Sequence, residues 1–246
     1  MPAPTLVLSH PPHGEVDLKL AAMVLRLTAV DVRLKANYPI PEIWLEHGAA
    51  AVAESAAASL RAAGMRVVAV PGAALAEIPP QQPVASFAFE DGGLFLDAED
   101  QVTVPYDTAV VAVVFAARPD QGKGPPPAAV ELFAPAERGY HRWTILQGVT
   151  GFAGASPRQT GSFGVSARNF AADVERRFPE ARVDRRLVNM QVRRRTGAPP
   201  PGAVRRGYSF ATPALQQLLD SIEPGLGDLE HEELSVRLAF LTNVGE

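Results

Sequence analysis

A run of strands is predicted by residues 84–116, which read VASFAFEDGGLFLDAEDQVTVPYDTAVVAVVFA. Apolar and polar residues alternate on both sides of Asp91-Gly92-Gly93, as in two half-buried strands. These three residues predict a hairpin turn, because glycine accepts a positive φ without steric cost. Two further strands are predicted at 102–104 and 109–116, the second from a continuous apolar run of strand length.

More strands follow, and then one helix. Residues 130–133 (VELF) and 140–146 (YHRWTIL) are rich in β-branched and aromatic residues, which predicts two more strands. Ser166 is a suitable N-cap for a helix that ends at Phe178, before Pro179. Together with the helices predicted below for the first segment, this order predicts an α+β fold class.

The middle of the chain, residues 83–186, resembles bacterial PH-like and GRAM-like domains. The resemblance rests on the glycine hairpin FEDGGLF (89–95) and on the step VPYDTAV (104–110) into the next strand. It implies an antiparallel β-barrel with a C-terminal helix, and a role in binding proteins or phosphoinositides. Lipid-binding members place basic residues in the first hairpin, whereas the hairpin here is acidic.

The first segment, residues 1–78, alternates short strands and helices. We predict strands at 5–9 and 65–70, and helices at 15–27, 29–36 and 49–63. Gly64 suits the position just after a helix, where glycine is common. The first helix is predicted to bury one apolar stripe, formed by Val16, Leu20, Met23, Val24 and Leu27.

This first segment resembles the C-terminal domain of ribosomal protein L7/L12. The matching stretches are RLTAVDVRL (26–34), YP (38–39), AAAVAESAAASLRAAG (49–64) and MRVVAV (65–70). The resemblance implies a small βααβ module. In that family the first helix is basic and faces translational GTPases, whereas EVDLKLAAMVLRL (15–27) holds only Lys19 and Arg26. The resemblance therefore carries over the fold and not the ribosomal role.

Charge is distributed unevenly along the chain, whose formal net charge is −4. Residues 158–206 carry 12 arginines, no lysine and 4 acids, whereas residues 207–246 carry one arginine and 7 acids. This pattern predicts a C-terminal extension, residues 187–246, that is basic and then acidic. Within it we predict a strand at 187–192 and helices at 213–222 and 228–241, although apolar alternation leaves a strand open for the last.

Three proline-rich stretches are predicted to be linkers, because proline lacks a backbone donor and stiffens the chain. They are PPQQP (79–83), PDQGKGPPP (119–127) and APPPG (198–202). The predicted domains are accordingly 1–78, 83–186 and 187–246.

Composition excludes several classes of protein. Cysteine is absent, which excludes a disulfide scaffold, thiolate metal sites and cysteine catalysis. No run of about 18 apolar residues occurs, so no spanning helix is expected. The first residues, MPAPTLVLSHPP, lack a basic region followed by a long apolar region, so we expect no secretion signal and a cytoplasmic location.

Motifs that carry chemistry are missing from the sequence. The five histidines, His10, His13, His47, His141 and His231, show no metal-ligand spacing, so no metal site is expected. No G-x-S-x-G nucleophile motif occurs, and the glycines at 148, 151 and 154 have the wrong spacing for a dinucleotide loop. We therefore expect no cofactor and no enzyme activity.

The densest charged feature is a set of arginines that we call the arginine belt. Its members are the candidate anion- or partner-binding residues Arg176, Arg177, Arg182, Arg185, Arg186, Arg193, Arg194, Arg195, Arg205 and Arg206. Three interpretations are open: a solvated surface paired to acids, a site for an acidic protein surface, and a site for nucleic acid or anionic membrane. Pairing of the belt with the acidic C-terminus would mask it from phosphate-rich ligands.

These observations favour a non-catalytic adaptor or assembly protein that recognises a protein partner; a second copy of itself, in a homo-oligomer, is one such partner. Both suspected modules are usually binding modules, and that argument is one of analogy. The alternative is an anion-binding module that uses the arginine belt to hold an anionic lipid headgroup or nucleic acid. A hydrolase whose site is dispersed along the sequence is the third hypothesis. A flat apolar surface would favour the adaptor, and a deep pocket of perturbed titratable groups would favour the enzyme.

Overall fold

A computed structural model of the chain describes residues 4–9, 15–36, 41–116, 128–146, 150–152, 163–188 and 231–244. These residues form a mixed α+β fold with five α-helices and three sheets, which confirms the predicted fold class. The chain divides into two compact units. Unit 1 is Met1–Glu77 with Val192–Glu246, and unit 2 is Ile78–Gln191.

Unit 1 contains a three-stranded antiparallel sheet. Its central strand β1 (Thr5–Ser9) pairs with β2 (Ile43–His47) on one side and β3 (Val67–Pro71) on the other. Strand β2 was not predicted, because it is a short edge strand between a proline break and a glycine turn. The described order is therefore β1, two helices, β2, one helix and β3, instead of the expected βααβ.

Three helices accompany this sheet: α1 (Leu18–Leu25), α2 (Ala29–Ala36) and α3 (Ala50–Ala62). Gly64 follows α3 with a φ of +84°, as predicted, and a Cβ there would lie 2.5 Å from the carbonyl oxygen of Glu15. Val7 of β1 packs among helix residues such as Ala57 and Leu60. Small alanines let α3 approach the sheet closely, and that contact forms one core of unit 1.

The C-terminal segment contributes a helix to unit 1. Helix α5 (His231–Val244) contacts β1, β3 and the short 3-10 helix Gly72–Leu75. Its eight consecutive residues 235–242 are all buried. The helix predicted at 228–241 is confirmed, and the strand that was left open there is not formed. The Arg237 Nη1 donates a 2.7 Å hydrogen bond to the carbonyl oxygen of Leu75, which satisfies a buried charge.

Unit 2 is built from two sheets. The first has the order β12-β8-β9-β10-β4, with β4 (Gln82–Pro83), β8 (Val111–Ala116), β9 (Ala128–Pro135), β10 (Tyr140–Leu146) and β12 (Arg182–Asp184). The second has the order β11-β5-β6-β7, with β5 (Ser86–Glu90), β6 (Gly93–Asp97), β7 (Gln101–Val104) and β11 (Gly151–Phe152). The predicted hairpin is the β5–β6 turn, with Glu90 opposite Gly93.

Helix α4 (Phe163–Arg177) packs against both sheets of unit 2 through one core. Phe170, Val174 and Phe178 are buried, and the rings of Phe170 and Phe87 meet edge to face at 4.7 Å. The helix begins before the expected N-cap Ser166. No sheet among the described residues closes on itself, so the PH-like barrel is not confirmed.

The stretch Pro79–Pro83 is not a free linker. Gln82 and Pro83 form edge strand β4, which runs parallel to β10. The carbonyl oxygen of Pro79 accepts a 3.2 Å hydrogen bond from Arg142, and Gln81 donates one of 2.7 Å to Glu131. Proline is tolerated because an edge strand leaves one row of backbone groups unpaired.

Other predicted elements fall partly or wholly outside the described residues. Leu187 and Val188 do not form a strand, so the strand predicted at 187–192 is wrong where it can be checked. Three predicted features lie wholly outside the described residues: the helix at 213–222 and the proline stretches at 119–127 and 198–202.

Candidate functional site

Half of the arginine belt lies within the described residues. Arg176 and Arg177 end helix α4, Arg182 begins β12, and Arg185 and Arg186 follow that strand. The other five lie outside the described residues: Arg193, Arg194, Arg195, Arg205 and Arg206. The contacts of the five described arginines show what this end of unit 2 can bind.

Arg186 is held inside the protein. Its Nε and Nη2 donate to Asp184 Oδ2 at 2.9 Å and 2.5 Å, and both side chains are buried. Asp184 Oδ1 also accepts the Arg186 backbone N–H at 2.9 Å. The two oxygens of the Asp184 carboxylate hold the Arg186 guanidinium and backbone, and this fixes the chain directly after β12. This arginine therefore supports the local fold.

Two exposed arginines pair with acids of helix α4. Arg176 forms an ion pair with Asp173 one turn earlier, and Arg185 pairs with Glu175 at 2.9 Å. Such exposed pairs contribute little to stability, because water screens both charges. They nevertheless lower the net positive charge that this surface presents to an anion. The pairs favour the interpretation of the belt as a solvated surface.

Arg177 stacks on aromatic rings. Its guanidinium carbon lies 5.1 Å from the ring centroid of Phe89 and 5.9 Å from that of Tyr106. The Tyr106 hydroxyl donates a 2.7 Å hydrogen bond to the carbonyl oxygen of Glu90. These contacts join the end of α4 to the β5–β6 hairpin, and they occupy the faces that a planar ligand would otherwise use.

A second cluster of polar groups lies at the end of β1 in unit 1. The Lys35 Nζ lies 3.3 Å from Glu42 Oε2, and it also sits 5.0 Å from the ring centroid of Trp44. Glu42 is buried, and its backbone N–H donates to Ser9 Oγ at 2.8 Å. Among the described residues, the buried Trp44 Nε1 has no hydrogen-bond partner. Lys35 thus neutralises a buried carboxylate and tethers α2 to β2.

Large apolar side chains are exposed on the first two helices and on the connection between them. We call Met23, Leu27, Val30 and Leu34 the apolar surface; their exposed fractions are 75%, 39%, 64% and 57%. Met23 and Leu27 were predicted to be buried, and this prediction is wrong. Helix α1 instead buries Ala21 and Ala22, and it ends at Leu25, so Leu27 falls outside its stripe.

The end of α1 explains why this surface faces outward. Arg26 has a φ of 53°, the left-handed conformation that closes a helix. The Leu27 N–H then donates a 3.0 Å hydrogen bond to the carbonyl oxygen of Ala22. Thr28 and Asp31 exchange hydrogen bonds that start α2. This tight connection places two short helices side by side, with the apolar surface on them.

Two arginines are neighbours of the apolar surface in sequence, and we call Arg26 and Arg33 its basic rim. Arg26 and Arg33 are exposed, and neither side chain forms an ion pair or hydrogen bond within the part of the chain that the structure describes. The one acid among residues 26–34 is Asp31, whose Oδ2 accepts the Thr28 hydroxyl at 2.7 Å. Sequence reasoning missed this site, because burial of an apolar residue cannot be read from helical spacing alone.

Desolvation by partial burial raises the pKa of Glu46, on edge strand β2, above its ordinary value. The described residues contain no group of three or more His, Asp or Glu arranged to hold a metal ion. No helix in the described part of the chain is both long and apolar enough to cross a membrane.

In comparisons with known proteins, no family model, no curated protein and no solved structure matches this chain.

Proposed function

We propose that this chain is a non-catalytic adaptor or assembly protein that recognises a protein partner through the apolar surface. The observation that supports the proposal is the exposure of Met23, Val30 and Leu34, each more than half exposed on one pair of helices. A protein seldom leaves several large apolar side chains together in water unless they are used, because burying them on binding is favourable.

The anion-binding alternative receives less support. Of the arginine belt's described members, Arg176, Arg185 and Arg186 pair with acids, and Arg177 stacks on rings of its own unit. Phosphate recognition uses arginine forks that are free to meet the ligand. The resemblance to PH-like domains also supports protein binding, since the hairpin that would hold a lipid headgroup is acidic.

The test is affinity capture from the native cells with four forms of the full chain. These are the wild type, Met23→Glu, Leu34→Glu, and Val52→Glu as a matched control. Val52 is 47% exposed on α3, so its change adds the same charge at a comparable apolar position. We expect proteins captured by the wild type and by Val52→Glu to be lost from both apolar-surface variants.

Two controls make the capture experiment decisive. Circular dichroism must show that all variants melt like the wild type, which keeps loss of binding apart from loss of folding. Sedimentation of the same proteins shows whether the partner is a second copy. Capture that is equal in all four forms, with no change in oligomeric state, would refute the proposal.

A further inference from the structure

We propose that the occupant of the apolar surface is an amphipathic helix of a partner protein, with acidic residues flanking its apolar side. This inference rests on the proposed function and names the chemistry of its partner. It follows from the spacing of the apolar side chains, from the charge of the rim, and from the conformation of Arg26.

The apolar side chains are spaced for contact with a helix. Val30 and Leu34 are four residues apart on α2, and Met23 lies on α1, which packs against α2. Side chains four apart on a helix share one face. A partner helix with apolar residues at i, i+3, i+4 and i+7 presents an apolar ridge that can pack against such a face. An added strand would need a sheet edge, and these residues lie on helices.

The rim selects for acidic flanks. Arg26 and Arg33 lie beside Leu27 and Leu34 in sequence, and within the described residues both guanidinium groups have no acidic partner. Glutamate or aspartate on both sides of a partner's apolar face would meet these two forks. Opposite charge across a rim speeds association and selects the partner.

Arg26 is also an unusual choice for its position. It is the one non-glycine residue with positive φ among those the structure describes. Glycine is common where a helix ends in the left-handed conformation, because other residues are strained there. An arginine that is kept in such a conformation, with its side chain exposed on the rim, is consistent with a binding role.

Two other occupants match the surface less well. In a two-fold dimer built on this surface, each copy would set Arg26 and Arg33 close to the same residues of the other. Anionic membranes attract clusters of basic residues, whereas the four basic residues of the segment 15–36 are spread among three acids. Both occupants become outcomes of the test.

The probes are three synthetic amphipathic peptides of about 18 residues, long enough for five helical turns. All share the same leucine face, and the residues flanking it are glutamate, glutamine or lysine. Fluorescence anisotropy measures their binding to the full chain at low and moderate salt. We expect the glutamate peptide to bind about threefold to tenfold more tightly than the glutamine peptide, with the advantage shrinking as salt rises.

Charge reversal then tests the rim itself. In the double variant R26E/R33E the lysine peptide should bind best, whereas in the control R138E, at an exposed hairpin arginine of unit 2, the original order should remain. Leu34→Glu should weaken all three peptides in every background. Thermal melting of each variant shows that the helices remain folded.

The outcomes separate this inference from the proposed function. Equal affinity for the three peptides, with loss on Leu34→Glu, would overturn the acidic partner and leave protein binding intact. If no peptide binds, although capture in the preceding experiment depends on the apolar surface, the helical partner is overturned and protein binding stands. Two results would replace the partner helix by another occupant. One is a dimer that Leu34→Glu abolishes, and the other is binding to vesicles of phosphatidylserine and phosphatidylcholine that R26E/R33E abolishes.

Discussion

Arg142 on β10 and Glu131 on β9 form an ion pair whose two side chains are completely buried. The residues are not directly opposite, since Glu131 faces Thr144 and Arg142 faces Phe133 across the two strands. Gln81 donates to the same carboxylate, and Pro79 accepts from the same guanidinium. One buried pair therefore holds the start of unit 2 against its sheet.

Arg142→Met should destabilise unit 2 by about 3–5 kcal/mol, because it leaves the Glu131 carboxylate buried without its counter-ion. Urea unfolding followed by tryptophan fluorescence measures the loss. The matched control is Arg185→Met, which breaks an exposed pair and should cost about 0–1 kcal/mol. Similar losses in both variants would contradict the importance of burial.

Phe240→Ala should destabilise unit 1 by about 3–5 kcal/mol, since a completely buried ring in α5 would leave a cavity. Val244→Ala, at the half-buried end of the same helix, is the control and should cost clearly less. Denaturant titration with circular dichroism compares the two. A Phe240→Ala loss no greater than that of Val244→Ala would show that α5 is not part of the core.

Arg26→Gly should raise the stability of the chain by about 1 kcal/mol, because glycine adopts the left-handed conformation without steric strain. The same variant should weaken binding of the glutamate peptide, since a rim charge is lost. Thermal melting and anisotropy report the two effects on one protein. A fall in melting temperature would contradict the strain at this position.

Gly93→Ala should cost about 1–3 kcal/mol from its backbone conformation alone, with a φ of +155° at the start of β6. A Cβ there would also collide with the carbonyl oxygen of Val104 on β7. The neighbour Gly92 has nothing within 4 Å of an added Cβ, so Gly92→Ala is the control. Equal melting temperatures for the two variants would refute this account of the hairpin.

Glu46→Gln should stabilise unit 1 at neutral pH and make little difference in acid. The folded protein raises the pKa of Glu46 by desolvation, so the charged form is disfavoured in the folded state. The wild type should therefore lose this part of its stability as pH rises through the ordinary range of a glutamate. Melting temperatures of both proteins across acidic and neutral pH test the sign; a gap that widens in acid would contradict it.

Local sequence was sufficient for several strands of unit 2. The strand at 140–146 was predicted with the bounds that the structure has, and Gly93 marked the hairpin, because alternation and turn chemistry act between near neighbours. Strand β4 was missed because its partner, β10, lies about 60 residues further along the chain. No local pattern in PPQQP records that pairing.

The candidate site shows the same division. Sequence by itself determined that the first helix carries apolar residues at helical spacing and that the chain has a dense run of arginines. Only the tertiary structure decided which of them water reaches: alanines of α1 fill the core, Met23 and Leu34 remain exposed, and Arg186 is buried with Asp184. Burial depends on what the rest of the chain packs against each side chain, and contacts so distant in sequence leave no periodic signal.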